Sequence, residues 1–224
     1  ALDALKRYAV TASAPVHDRL DRGARGEVAE TVGPGDPAVA RTTNHVIAGG
    51  YTALAAARDA ARDRGYETVV LAAGVTGEAR EAAHTHVAVA RQVIETGEPI
   101  DPPAVVIAGG ECTVSVRGDG IGGPNLEFAL SAALDLRDAG LGDRVAVAAV
   151  DTDGLDGSTD AAGGLVDGMT VMDERAARDA LADNDALSHL DRAEAALRSG
   201  ATSTNVNDLR VAVVEEESAS GGRS

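Results

Sequence analysis

The chain has 224 residues, 44% of them hydrophobic, which is enough for one large domain or two small ones with a packed core. Aromatic residues make up only 2%, so that core must be built mainly from Ala, Val and Leu. The net charge is −16, with 36 acidic residues against 20 basic, and Lys6 is the only lysine; this balance excludes nucleic acid as a partner, because backbone binding needs clustered Lys and Arg.

The acidity fits a solvated surface of the kind that high salt favours. The lone cysteine, Cys112, excludes an internal disulfide and a multi-cysteine zinc site. It falls in an apolar run with no neighbouring His or Lys, so a buried, inert thiol is expected. No apolar run approaches the ~20 residues of a membrane span, and no signal peptide is recognisable. A chain without a membrane partner, working in the cytoplasm, is the expectation. It begins at Ala1 inside a helical pattern, so it reads as a fragment.

In chain order, Leu2, Leu5, Tyr8 and Ala9 predict a helix over residues 2–10. Residues 21–43 are rich in Gly, Pro, Asp and Thr and read as a long connection. A short strand is expected at Val46–Ala48, then a helix from Tyr51 to Arg64 stopped by Gly65. Thr68–Ala72 reads as a strand and Glu78–Thr96 as a long helix, stopped by Gly97 and the cluster Pro99, Pro102, Pro103. That cluster is the expected domain boundary, dividing residues 1–98 from 101–214. Beyond it come apolar segments at Ala104–Ala108 and Glu111–Arg117, joined by Gly109 and Gly110 as a tight turn or a bend within one ribbon. A helix over Asn125–Ala139 should bury Leu126, Ala129, Leu130, Ala133, Leu134 and Leu136 on one side. Val145–Val150 is a strand, residues 172–198 hold two helices split near Asn184, and Leu209–Val214 is the last strand. Residues 215–224 read as a disordered tail. Alternating strands and helices imply an α/β layered fold around a largely parallel or mixed sheet.

Chemistry concentrates in three segments. Residues 117–127, RGDGIGGPNLE, lie between a strand and a helix. Gly118, Gly120, Gly122 and Gly123 leave the backbone free to approach a ligand or to take positive φ, and Pro124 suits the first helical position. Free N–H groups at that helix start would attract a phosphate or carboxylate. The alternative is a Gly-rich hairpin, and no Lys-Ser/Thr follows to make a P-loop. Residues 151–160, DTDGLDGSTD, put four carboxylates and two glycines at the end of a strand, where open α/β sheets place ligands. Such carboxylates repel one another unless a cation or polar substrate sits among them; the alternative is an acidic turn. Residues 202–208, TSTNVND, offer hydroxyls, two amides and a carboxylate, or simply a turn and cap. His84 and His86, two residues apart, cannot share a helix face, so no zinc site is expected. Asn184-Asp185 reads as an N-cap.

Together, residues 109–130, 152–163 and 204–211 resemble the MOFRL-type glycerate 2-kinases, some of which carry the older label hydroxypyruvate reductase. The resemblance covers residues 1–214. It implies a two-domain α/β enzyme that uses ATP and a divalent cation such as Mg2+ to phosphorylate D-glycerate at its 2-hydroxyl in the cleft between its domains. It also implies that this chain is the C-terminal portion and that the N-terminal half, with its lysine, is the missing partner. The chain departs from the family loop Gly-Gly-Arg-Asn-Gln-Glu, with Pro124 at the arginine position and Leu126 at the glutamine position. Arg117 or a nearby arginine would then have to meet the phosphate.

On that resemblance, Asp153 and Glu127 are the expected catalytic residues, Asp153 in a base-like role. Asp153 and Asp156 are the expected metal ligands. Gly118, Gly120, Gly122, Gly123, Asn125, Thr152, Thr159, Asp160, Asn205, Asn207 and Asp208 are expected around nucleotide and substrate. The alternatives are a hydroxypyruvate reductase using NAD(P)H, for which no convincing dinucleotide fingerprint is present, and a non-catalytic metal- or anion-binding domain. Homo-oligomerisation stays open.

Overall fold

The computed structural model describes residues 1–216. It divides into two compact units, Ala1–Val46 and the chain from Ile47 onward. The first holds helices α1 (Leu2–Arg7), α2 (Ala14–Ala24) and α3 (Pro37–Ala40), none of which carries a buried residue. The expected connection over residues 21–43 thus contains the end of α2 and the short α3. The second unit runs α4 (Gly50–Arg62), β1 (Glu67–Glu78), α5 (Ala79–Thr96), β2 (Ala104–Thr113), α6 (Pro124–Asp138), β3 (Val145–Asp151), β4 (Gly163–Asp167), α7 (Glu174–Ala182), α8 (Ala186–Arg192), β5 (Ala196–Leu197) and β6 (Asp208–Val214). No described helix is long and apolar enough to cross a membrane.

The strands form one sheet in the order β1-β2-β6-β3-β4-β5. Only β1 and β2 pair in parallel, and every other neighbouring pair is antiparallel, so the sheet is mixed rather than largely parallel. The proline cluster lies in the link between α5 and β2, whose strand pairs with β1 from the other side of that cluster.

Helix α4 covers one face of the sheet, where Leu54 packs with Val105 and Ile107. Helices α5 and α6 cover the other. β6 shows how one strand serves both: Asp208, Arg210, Ala212 and Val214 are buried toward α5 and α6, while Leu209, Val211 and Val213 pack toward α4. The low aromatic content has a structural counterpart. Ala79, Ala83 and Ala90 of α5 and Ala129, Ala132 and Ala133 of α6 are fully buried, and such small side chains let helices approach closely. Helix α6 is buried on all sides from Asn125 to Leu134, not on the one side its leucine spacing indicates. It is overlaid by α5, α7 and α8 as well as by the sheet. Removing the side chain of its fully buried Leu130 would cost about 2–5 kcal/mol, as large-to-small core changes do.

Four expectations change. Val46–Ala48 is not a strand: residues 42–49 have no regular structure, and Ile47 is 95% exposed. Of the tight turn and the single ribbon left open at Gly109 and Gly110, the structure takes the ribbon, since both glycines stay in the ladder opposite Leu209 and Asp208, but the strand ends at Thr113 and not at Arg117. The strand β4 begins with two glycines, Gly163 and Gly164, which hide it from any apolar alternation. A two-residue strand, β5, follows α8 where helix was expected. The stop at Gly97 is as expected, in the left-handed conformation at φ 72°. Residues 217–224 of the expected tail lie outside the described residues.

Candidate active site

The ends of β2 and β3 and the start of β6 lie at one end of the sheet's central strands, since Gly110 and Asp151 both pair with Asp208. This end collects the three chemistry-bearing segments. The glycine loop leaves β2, the aspartate segment leaves β3, and residues 202–207 lead into β6.

The loop and the aspartate segment touch. An added Cβ on Gly123 would lie 2.5 Å from the Asp156 carboxyl, and one on Gly157 would lie 2.8 Å from the Gly122 carbonyl oxygen. Asp156 is 1% exposed and sits at the start of α6. Its Oδ1 accepts from the Asn125 backbone N–H (3.1 Å) and side-chain amide (3.2 Å), and its Oδ2 from the Leu126 N–H (2.8 Å). The helix start expected to cradle an external anion is therefore filled by an internal carboxylate. Burial pushes the Asp156 carboxyl up to about 6; the three N–H donors pull against that rise, and nearby Asp208 adds to it.

The buried network continues from Asn125. Its amide donates to Asp208 Oδ1 (2.8 Å), and Arg210 donates to Asp208 Oδ2 (2.5 Å). Arg210 is 1% exposed and lies 5.0 Å above the Phe128 ring, held by charge pairing and by cation–π attraction. His86 meets Phe128 edge-on and donates from Nδ1 to the Ala82 carbonyl (2.8 Å); burial holds its pKa down. Cys112 is buried beside Asp208 and its thiol is pushed up by burial, so it is the inert residue expected.

Glu127, expected to be catalytic, is also 1% exposed. Arg80 of α5 grips it through Nη2 (2.5 Å) and Nε (3.1 Å), and Asn184 donates to its other oxygen (2.5 Å). Both of its oxygens are therefore engaged by donors inside the protein.

Gly118 and Gly120 do make a close approach, but to the protein. The Gly118 N–H donates to Asn184 Oδ1 (3.1 Å), and the Gly120 N–H to the Asp183 carbonyl (2.9 Å). An added Cβ on Gly120 would lie 2.5 Å from that same carbonyl. None of Gly118, Gly120, Gly122 and Gly123 uses a positive φ; these glycines are required by proximity. Arg117 is exposed at the head of the loop.

The solvent side is formed by the other two segments. Asp153 is half-buried; its Oδ1 accepts from Leu155 N–H (2.9 Å) and its Oδ2 from the Asn205 amide (3.0 Å). The Thr152 hydroxyl donates to the Asn207 carbonyl (2.7 Å) and accepts from Val206 N–H (2.8 Å). Asn205 and Asn207 are exposed, Asn207 at φ 69°. Asp151 is raised above the ordinary carboxylate range, chiefly by burial and also by Asp153 and Asp208. The Thr159 hydroxyl closes the turn on the Asp156 carbonyl (2.8 Å). Asp160 pairs with Arg198 (3.1 Å) on the surface, away from this polar set, and that pair lowers its pKa.

Of the two aspartates expected to hold a metal, Asp156 is already engaged inside the protein. Both Asp156 oxygens are buried and spent on N–H donors, and among the described residues no group of three or more His, Cys, Asp or Glu converges as a cation requires. The sequence did not single out Arg80 or Arg210, and it gave Asn184 only as part of a cap. The only signal was a polar pair after α7, which suited a cap equally well.

The mixed sheet thus gathers a glycine loop, an aspartate turn and an Asn-rich segment at one end of its central strands. Residues 104–208 match the MOFRL family. It is 36% identical to the glycerate 2-kinase of Pyrococcus horikoshii over 217 residues, covering 94% of this chain and 48% of that enzyme. It is 37% identical to the D-glycerate 2-kinase of Thermotoga maritima over 174 residues, covering 76% and 41%. The crystal structure of the Thermotoga maritima glycerate kinase superposes with a TM-score of 0.72 at 32% identity, over 95% of this chain and 49% of that one. The chain thus spans about half the length of the relatives it matches.

Proposed function

We propose that this chain is the C-terminal part of a glycerate 2-kinase that transfers a phosphoryl group from ATP to the 2-hydroxyl of D-glycerate. The carrying observation is the adjacency of loop 117–123 and segment 151–157, alongside similarity to glycerate 2-kinases over nearly the whole chain. In this reading residues 101–214 are the MOFRL portion and residues 1–98 the end of the region before it.

Phosphoryl transfer depends on positioning and on neutralising charge. Asp153 is the half-exposed carboxylate of the set and takes the proton of the glycerate hydroxyl; Asn205 fixes its orientation. Thr152, Asn205 and Asn207 face the substrate, and Arg117 supplies the positive charge that Pro124 does not. The buried residues Asn125, Glu127, Asp156 and Asp208 hold these segments in register. Magnesium belongs to the nucleotide in this reading, not to an aspartate centre on the chain. Because a kinase needs further cations on the transferred phosphate, these 224 residues alone are expected to be inactive. The acidic composition supports a salt-rich working medium.

The test is a coupled assay of the complete protein with ATP, Mg2+ and D-glycerate, with phosphorus NMR to locate the phosphate. Glycerate-dependent ADP release yielding the 2-phosphate supports the reading. NAD(P)H oxidation with hydroxypyruvate and no ADP release would replace it with the reductase. That alternative is disfavoured because the glycines which might approach a dinucleotide are packed on residues 183–185 and Asp156.

A further inference from the structure

We propose that Asn184, in the turn between α7 and α8, is the positioning residue that sets the conformation of the glycine loop for phosphoryl transfer; this rests on the kinase reading above.

Asn184 is 6% exposed and holds φ 57°, a left-handed conformation that asparagine tolerates better than most residues. Its side chain is used at both ends. Oδ1 accepts from the N–H groups of Arg117 (2.6 Å) and Gly118 (3.1 Å). Nδ2 donates to Glu127 Oε1 (2.5 Å) and, more weakly, to the Ser115 carbonyl (3.4 Å). The turn residues on either side extend the grip. The Asp183 side chain accepts from Asp119 N–H (3.4 Å), its carbonyl from Gly120 N–H (2.9 Å), and the Asp185 side chain from Ile121 N–H (3.2 Å). Every backbone N–H from Arg117 to Ile121 is thus held by residues 183–185.

The Asn184 side chain couples that loop to the buried Arg80–Glu127 pair. Arg80 also donates to the Leu181 carbonyl (2.9 Å) at the end of α7, so the turn is anchored on its far side. The oxygen that orders Arg117 and Gly118 is therefore fixed by an amide whose nitrogen is fixed by Glu127. An oxygen acceptor and a nitrogen donor on one planar group are what an asparagine side chain offers. Small displacements of a substrate-positioning segment can cost two orders of magnitude in rate, which makes this amide a kinetic as well as a structural element.

The test uses Asn184→Gly and Asn184→Asp in the complete protein. Glycine accepts the left-handed backbone and removes only the side chain. Aspartate keeps the acceptor but sets a second carboxylate against Glu127, where two such groups share a proton. Expected for Asn184→Gly is a native circular-dichroism spectrum, a fall in kcat of at least about tenfold, and faster hydrogen exchange at the Arg117 and Gly118 amides. Expected for Asn184→Asp is a loss relative to wild type that shrinks as pH falls, because the protonated acid again donates to Glu127. Wild-type kcat in Asn184→Gly, or unchanged exchange at Arg117 and Gly118, would overturn the proposal. A wild-type protein without glycerate-dependent ATP turnover would instead overturn the kinase reading, and exchange at those two amides would then decide the loop-holding role by itself. Should the glycine variant fail to fold, the pH dependence of Asn184→Asp decides: a constant loss would count against the proposal.

Discussion

Replacing Asp156 by Asn tests the central feature of the buried network, a carboxylate that caps α6 from within. Its pKa is raised to about 6 mainly because the charged form loses its hydration on burial. A rise of that size above the ordinary aspartate value corresponds to about 3 kcal/mol. The sign follows from proton linkage. Because the folded value lies above the unfolded one, the folded state holds its proton longer. The contribution of this group to stability is greatest below about pH 4 and falls as pH rises through about 6, then levels off. The amide of the Asp156→Asn variant carries no proton to lose. The stability of that variant relative to wild type should therefore rise by about 3 kcal/mol between about pH 4 and about pH 7. Asp156→Ala separates charge from hydrogen bonding, because it orphans the buried N–H groups of Asn125 and Leu126 at every pH. Each such group costs about 1–3 kcal/mol, so the alanine variant should be less stable than the asparagine variant throughout. Urea denaturation over that pH range at fixed ionic strength measures both. A difference between the asparagine variant and wild type that is flat, or that falls with pH, would show that the helix-start donors outweigh burial and would refute the reasoning.

Asp153→Asn in the complete protein should lower glycerate turnover by about 10²–10⁴-fold, the range of a lost general base, with an unchanged unfolding midpoint; wild-type turnover would remove Asp153 from the mechanism. Arg210→Leu leaves Asp208 buried without its cation, and thermal unfolding should show a loss of about 3–5 kcal/mol, partly restored by adding Asp208→Asn. With a net charge of −16, self-repulsion should fall as salt is added, so the melting temperature should climb between low and molar KCl; a flat profile would count against the salt-adapted reading.

The long elements were legible because their periodicity and their stops agree. Helices α4, α5 and α6 have apolar faces bounded by Gly65, Gly97 and Pro124, and strands β3 and β6 are short Val/Ala runs. What stayed open or failed has a common cause. The strands β2 and β4 contain paired glycines whose place in the sheet is decided by the neighbouring strand, not by local preference. Val46–Ala48 shows the converse: an apolar run reads as a strand, but no neighbour pairs with it. The order of the sheet was not legible either, since β6 comes last in the chain yet lies between β2 and β3.

At the site, composition pointed to the right segments, while the division of labour within them depends on depth, which a sequence does not display. Asp153 and Asp156 are three residues apart on one turn. One faces a surface asparagine and the other closes a helix from inside. The same holds for Glu127 and Asn125, which look like ligand-binding groups and are buried structural ones. The cations of Glu127 and Asp208, Arg80 and Arg210, stand 47 residues before the one and two residues after the other, in a helix and a strand read only for their apolar residues. Two arginines among three buried carboxylates, Glu127, Asp156 and Asp208, leave one negative charge uncompensated. Asp156 lacks an arginine partner of its own, and its carboxyl is the one raised to about 6. The raised pKa and the expected pH dependence of stability therefore share one origin, the burial of the Asp156 carboxyl beneath the glycine loop, to which nearby Asp208 adds.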